Sequence, residues 1–248
     1  MKKIFSIISF WIVAISCSAQ QGSLFVIKDS TVAKDFKQVH ESYLATKNAF
    51  LFEDDNYAVR KTCSGEWGGS IWFKNKKTGI EYASEATCPV VVNKLDGKYI
   101  VTNTLAHLSG FTQVLEISNP DSLEIFELPK PRQKKGKTIV RYVGDNQSKS
   151  KKGTIQLIDS VGVLTLASFP YQGDLFHIIT DFKRTFVSKI ENKRFVTIDT
   201  VSNEGIWTYN PEVIKTKNDQ YIVFFNNKEV KGYLEIDDNL ITLYRFKE

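Results

Sequence analysis

Three histidines, His40, His107 and His177, are the side chains of this sequence best suited to moving protons near neutral pH. His107 stands in Leu105-Ala106-His107-Leu108-Ser109-Gly110, and His177 in Asp174-Leu175-Phe176-His177-Ile178. If the fold brings these two to one cleft, they could serve as acid and base or as ligands, with the Ser109 hydroxyl beside them. Histidines flanked by aliphatics are also common as hydrogen-bonded core residues, and that reading stays open. The segment Glu66-Trp67-Gly68-Gly69-Ser70 is the other candidate. Its glycines permit unusual backbone angles beside a large aromatic, which suits either a carbohydrate or peptide cleft or a plain turn with a tryptophan cover. Trp67, His107, Ser109 and His177 are therefore the candidate ligand-binding residues. No catalytic residue can be assigned from the sequence.

The familiar catalytic signatures are missing. The chain has no Gly-x-Ser-x-Gly elbow, no His-Glu-x-x-His pair, no phosphate-binding glycine loop and no calcium-loop pattern. His40-Glu41 opens like a metalloprotease helix but lacks the second histidine, so His40 reads as a helix-face residue. Cys63 and Cys88 form an even pair that is expected to join in an oxidising compartment, the alternative being two buried thiols. Neither has a second cysteine or histidine at ligand spacing, so no metal site is expected, and no cofactor is implied.

The oxidising compartment is itself an inference from the first residues. Lys2 and Lys3 precede an apolar run from Ile4 to Ile15, and the small-residue segment Ser16-Cys17-Ser18-Ala19-Gln20 closes it. This layout resembles a secretory signal peptide, and the run is too short to span a bilayer. Val13-Ala14-Ile15-Ser16-Cys17 further resembles a bacterial lipobox. That resemblance implies cleavage before a lipidated Cys17; cleavage after Ala19 is the alternative. The chain is expected to be exported, and to be periplasmic or anchored at the outer membrane.

The mature part, about 230 residues, can bury one large core, and is expected to form a single domain over 20–248. Hydrophobic residues at 42 % and charged residues at 25 % place it among globular chains. The charge is unevenly spread. Residues 130–153 carry nine lysines and arginines against Asp145 alone, whereas the rest of the mature chain is acidic overall. With Pro129, Pro131, Gly136, Gly144 and Gly153 punctuating it, this stretch reads as loop, short strand over Thr138 to Val143, and loop. It is either a solvated connection or an attachment point for anionic head groups or polysaccharide. Only Tyr142 interleaves with its basic residues, so a nucleic-acid partner is not expected.

Most of the chain alternates with the strand period. Hairpins are expected at Ser70–Phe73 with Ile80–Tyr82, and at Val90–Val92 with Tyr99–Val101 across Asp96-Gly97. Three more follow: Thr185–Val187 with Phe195–Val196, Val213–Ile214 with Tyr221–Val223, and Gly232–Ile236 with Leu240–Phe246. One amphipathic helix is expected within Val32 to Lys47, where Phe36, Val39, His40, Tyr43 and Leu44 recur at three- and four-residue spacing, capped by Asp29 or Ser30.

A repeat bears on the architecture. Lys98-Tyr99-Ile100-Val101 leads to Leu115-Glu116-Ile117 and Asn119-Pro120-Asp121. Arg194-Phe195-Val196-Thr197 leads to Ile206-Trp207-Thr208-Tyr209 and Asn210-Pro211-Glu212. The first unit resembles the repeat of secreted bacterial β-propellers. The fold is therefore expected to be all-β, a β-propeller before a sandwich or barrel, with one N-terminal helix. The expected role is an exported, lipid-anchored binding or scaffolding module of the bacterial envelope, partnered by an envelope protein or glycan. The rival is a hydrolase or lyase on a polymeric envelope substrate, using His107 and His177 with a nearby carboxylate; a third reading is a structural subunit of an outer-membrane assembly.

Overall fold

The computed structural model describes residues 23–140, 144–227 and 230–247. Cys17 with the whole signal region, and Arg141 and Tyr142 of the basic segment, lie outside the described residues. Among the described residues the protein is all-β with one α-helix. Strand β1 (Val26–Val32) comes first, then α1 (Phe36–Leu44). The cap of α1 is Asp35, whose carboxylate accepts from the Gln38 N–H at 3.2 Å. Asp29 and Ser30, the expected caps, sit inside β1. The sequence Val-Ile-Lys-Asp-Ser-Thr-Val satisfies its backbone by pairing along a neighbouring strand, so the helix starts later than its periodicity alone suggests.

The expected hairpins all form, and they assemble into four main sheets in chain order. The first sheet runs β2 (Phe52–Glu53), β3 (Tyr57–Cys63), β4 (Gly69–Asn75) and β5 (Glu81–Glu85). The second begins with β6 (Pro89–Leu95), β7 (Lys98–Leu105) and β8 (Phe111–Ile117). Between β6 and β7 the two-residue turn Asp96-Gly97 has both φ positive, the geometry that matches strand twist in a tight hairpin. An excursion then adds β9 (Glu124–Ile125) to the outer edge of the first sheet and makes a small hairpin of β10 (Arg132–Lys134) and β11 (Lys137–Ile139). The chain returns as β12 (Ile155–Val161), the fourth strand of the second sheet beside β8. The third sheet is the meander β13 (Leu164–Tyr171), β14 (Asp174–Thr180), β15 (Thr185–Glu191) and β16 (Arg194–Ser202). The fourth is β17 (Glu212–Lys215), β18 (Tyr221–Asn226), β19 (Lys231–Asp237) and β20 (Leu240–Phe246), and β1 joins it in parallel beside β20.

Neighbouring sheets pack through their faces. Val59 and Phe73 interlock with Val92, Val101 and Leu115 between the first and second sheets. Ile100, Val114 and Ile158 of the second meet Leu175, Ile190 and Phe195 of the third. Leu166, Phe169 and Ile178 of the third meet Val223, Phe225 and Leu234 of the fourth. The remaining face of the fourth sheet is covered by α1, whose Phe36, Val39, Tyr43 and Leu44 lie on Ile214, Ile222, Phe224 and Tyr233. Among the described residues no sheet closes on itself.

A buried polar link crosses this apolar packing. Asn93 on β6 donates to the Ser168 carbonyl at 3.0 Å and its hydroxyl at 2.9 Å, and accepts from the Tyr221 hydroxyl at 2.9 Å. Second, third and fourth sheets are thereby held in one register, because any slip would strand a buried polar group.

Two expectations change here. The two repeat units occupy non-equivalent places: the first spans the adjacent strands β7 and β8, whereas the second starts on the outer strand β16. Its Ile206-Trp207-Thr208-Tyr209 is an irregular connection between sheets and forms no strand. The basic segment is also more than a solvated connection. Gln147 and Ser148 are buried; Gln147 accepts from the Thr62 and Ser70 hydroxyls, and the Ser148 N–H donates to Ser70 Oγ at 2.6 Å. Its middle is pinned to the first sheet while its lysines stay in solvent.

Candidate functional site

The second-to-third-strand turns of the four sheets contribute to one end of the molecule, the first three in series and the fourth through the connection that precedes its sheet. The β3–β4 turn holds Glu66 and Trp67 in a short 3-10 helix. Its Glu66 carboxylate lies 3.6 Å from His107 Nε2 in the β7–β8 turn. That turn in turn rests on the β14–β15 turn at Gly110, where an added Cβ would meet the Phe182 ring at 2.7 Å; only glycine permits this approach. The Phe182 carbonyl abuts Gly205 in the connection from the third to the fourth sheet. Finally the Asn227 side chain, in the β18–β19 turn, donates to the Gly205 carbonyl at 3.4 Å.

Trp67 and His107 therefore share one rim. Trp67 is 55 % exposed, Leu108 is 93 % exposed, and Ser109 is exposed at the same loop tip. The Glu66–His107 contact is longer than a hydrogen bond and both groups are half in solvent, so it locates the loops without contributing much stability. The Cys63–Cys88 disulfide does more. It ties the end of β3 to the residue before β6, with Cα atoms 4.4 Å apart, and the Cys88 carbonyl accepts from the Thr104 N–H on β7. The pairing expected from the sequence is present, although Cys88 sits just before its strand, with φ +54°.

His177 does not join them. It lies mid-strand on β14, fully enclosed, opposite Ser168 and Ser188, with the Phe195 ring edge-on at 5.5 Å between centroids. Neither ring nitrogen has a hydrogen-bond partner in the protein, and burial holds its pKa down at about 3, so the ring is neutral in the folded state. One histidine faces solvent and the other is sealed between sheets, so the pair cannot act on one substrate. His40 likewise has a local role: its Nε2 lies 3.0 Å from the Glu212 carboxylate, tying α1 to the start of β17.

Two features of this end were missed by sequence reasoning. The first is an aromatic cluster. Phe182 and Trp207 meet edge-to-face at 5.8 Å, Trp207 and Tyr209 at 5.1 Å, and Tyr209 is 71 % exposed. They line an open cavity of about 740 Å³ together with Asn226 and Lys231. The available signal was the pair Trp207 and Tyr209 two residues apart beside Gly205, which alternation alone assigns to a strand. The second is a smaller cavity, about 310 Å³, between α1's exit, β3 and the starts of β6 and β17; Lys47, Lys61, Phe50, Val90 and Glu212 line it. Lys61 follows Val59 by two positions, so it shares the inward face of β3, and that spacing was readable.

Comparison with known proteins finds no matching family model, no matching curated protein and no matching solved structure.

Proposed function

We propose that the protein is an exported, lipid-anchored binding module of the bacterial envelope, built as a four-bladed propeller whose turn-bearing mouth takes a glycan. The observation that carries the reading is the chain of contacts at one end: turns from all four sheets are linked there, the last two through the Gly205 connection, and these turns and that connection expose Trp67, Leu108 and Tyr209. Support for the propeller comes from four consecutive antiparallel meanders whose faces pack in sequence order, with β1 joining the last one in parallel at its outer edge. Support for a glycan comes from the cluster of Phe182, Trp207 and Tyr209. Aromatic faces there offer sugar C–H groups a surface, while Asn226 and Lys231 offer hydroxyl and carboxylate partners. Among the described lining residues of that cavity there is no carboxylate and no histidine, which favours binding over hydrolysis. The enclosure of His177 removes the histidine pair on which the rival hydrolase or lyase relied.

The test is co-sedimentation of the mature protein with purified cell-wall and outer-leaflet polysaccharide. Replacing both Trp207 and Tyr209 by alanine should weaken retention by about tenfold or more, because each ring contributes on the order of 1 kcal/mol of contact. Retention by none of the polysaccharides, or retention unchanged in the double variant, would reject the glycan reading. Anchoring is tested separately. Cys17→Ala should move the protein from the membrane fraction to the soluble exported fraction, since several acyl chains are needed for a stable hold. Unchanged fractionation, with a free mature N-terminus at Gln20, overturns lipidation. The disulfide accords with an oxidising compartment in either case.

A further inference from the structure

The cavity of about 310 Å³ is chemically unlike the aromatic cluster, and it has an unusual charge arrangement. Its one carboxylate, Glu212, is already engaged twice, by Lys47 and by His40 Nε2 at 3.0 Å. Lys61 reaches in from the inward face of β3, and its ammonium donates to the Pro89 carbonyl at 2.6 Å. Among the described residues it forms no ion pair. The Arg60 guanidinium is turned away, stacked 4.2 Å over the Trp72 ring and bound in a fork to Glu81. The rest of the wall is mixed, with Asn48 and Asn210 set among apolar side chains that include Phe50, Val90 and Pro211. A half-enclosed ammonium with a carbonyl as its partner, in a cavity whose wall carries Phe50, Val90 and Pro211, leaves donors for an anion and apolar surface for its body.

We propose that this cavity binds a small organic anion, the Lys61 ammonium holding its carboxylate or phosphate head and Phe50, Val90 and Pro211 covering its apolar body. The site is separate from the aromatic cluster, so glycan binding can fail while this inference stands. The cost of keeping Lys61 charged works in the same direction. Burial, with the nearby Lys47 charge opposing and Glu212 partly compensating, lowers its pKa to about 8. An arriving anion stabilises the protonated amine and is therefore favoured while Lys61 keeps its proton. The charged groups facing it are Lys47 and Glu212, with His40 behind Glu212.

The test is calorimetric titration of the mature protein with benzoate, phenyl phosphate and inorganic phosphate. Saturable binding of one site per chain is expected for benzoate or phenyl phosphate, and whichever binds tighter identifies the head group. Inorganic phosphate should bind at least about tenfold more weakly, for lack of an apolar body. Lys61→Met should weaken binding by about tenfold or more, the loss of a charge-assisted hydrogen bond, and binding should decline as the pH rises through 8. Glu212→Gln should strengthen it, because Lys47 is released toward the anion. No heat from any of the three anions, or equal affinity in Lys61→Met, overturns the proposal. Equal binding of inorganic phosphate overturns its apolar half. If circular dichroism finds Lys61→Met unfolded, Glu212→Gln decides, and unchanged or weaker binding there rejects the site.

Discussion

Taking the protein from pH 7 to pH 4 should cost the folded state about 3 kcal/mol through His177 alone. The ring is fully enclosed and its folded pKa is held at about 3, whereas in the unfolded chain it titrates near the ordinary value of 6.5. Above 6.5 both states carry a neutral ring and the residue adds no pH dependence. Below it the unfolded chain takes up the proton and the folded one does not, so stability falls by about 1.4 kcal/mol per pH unit until the folded pKa is reached. His177→Leu removes the titration and also two buried nitrogens that lack partners. The variant should match or exceed the wild type at pH 7 and lose less on acidification. Urea midpoints at pH 7, 5.5 and 4 for both proteins isolate the effect, because carboxylates common to both cancel. Parallel pH profiles would show that the ring can be charged inside the sheets after all.

Loss of the Cys63–Cys88 disulfide should cost about 3 kcal/mol, and so lower the melting temperature by roughly 6–12 °C for a domain of this size. The bond closes a loop of 25 positions, and its removal returns that loop's freedom to the unfolded chain. It also spans two sheets, fastening the end of β3 to the approach to β6. The Cys88 backbone, at φ +54°, is held there with the help of that cross-link, and serine adopts such a φ no more readily. Cys88→Ser, Cys63→Ser and the double variant should fall together, since one bond is lost in each. Non-reducing peptide mapping should recover the two cysteines as one linked species. Thiols that alkylate freely in protein taken from its native compartment, or single variants as stable as the wild type, would contradict the assignment.

The hairpins were legible because a two-residue period and a polar turn are local properties, satisfied by the strand and its neighbour alone. Asp96-Gly97 between two apolar triplets is enough to specify β6 and β7. The disulfide was legible from an even cysteine count and the export that the first residues lead one to expect, and the helix from the spacing of Phe36, Val39, Tyr43 and Leu44. The candidate site was legible only in part. Trp67, His107 and Ser109 lie on turns, and turns stay at the surface wherever the sheets go. His177 belongs to a strand, and alternation says which residues share its face without saying what covers that face; here the second sheet does. The same gap hid Lys61, the start of α1 and the difference between the two repeat units. Phe182, Trp207 and Tyr209 come from two separate connections that meet only when the third and fourth sheets pack. Local periodicity is written along the chain, but which faces meet is decided by the packing of whole sheets, and contacts between distant turns exist only after that packing is complete.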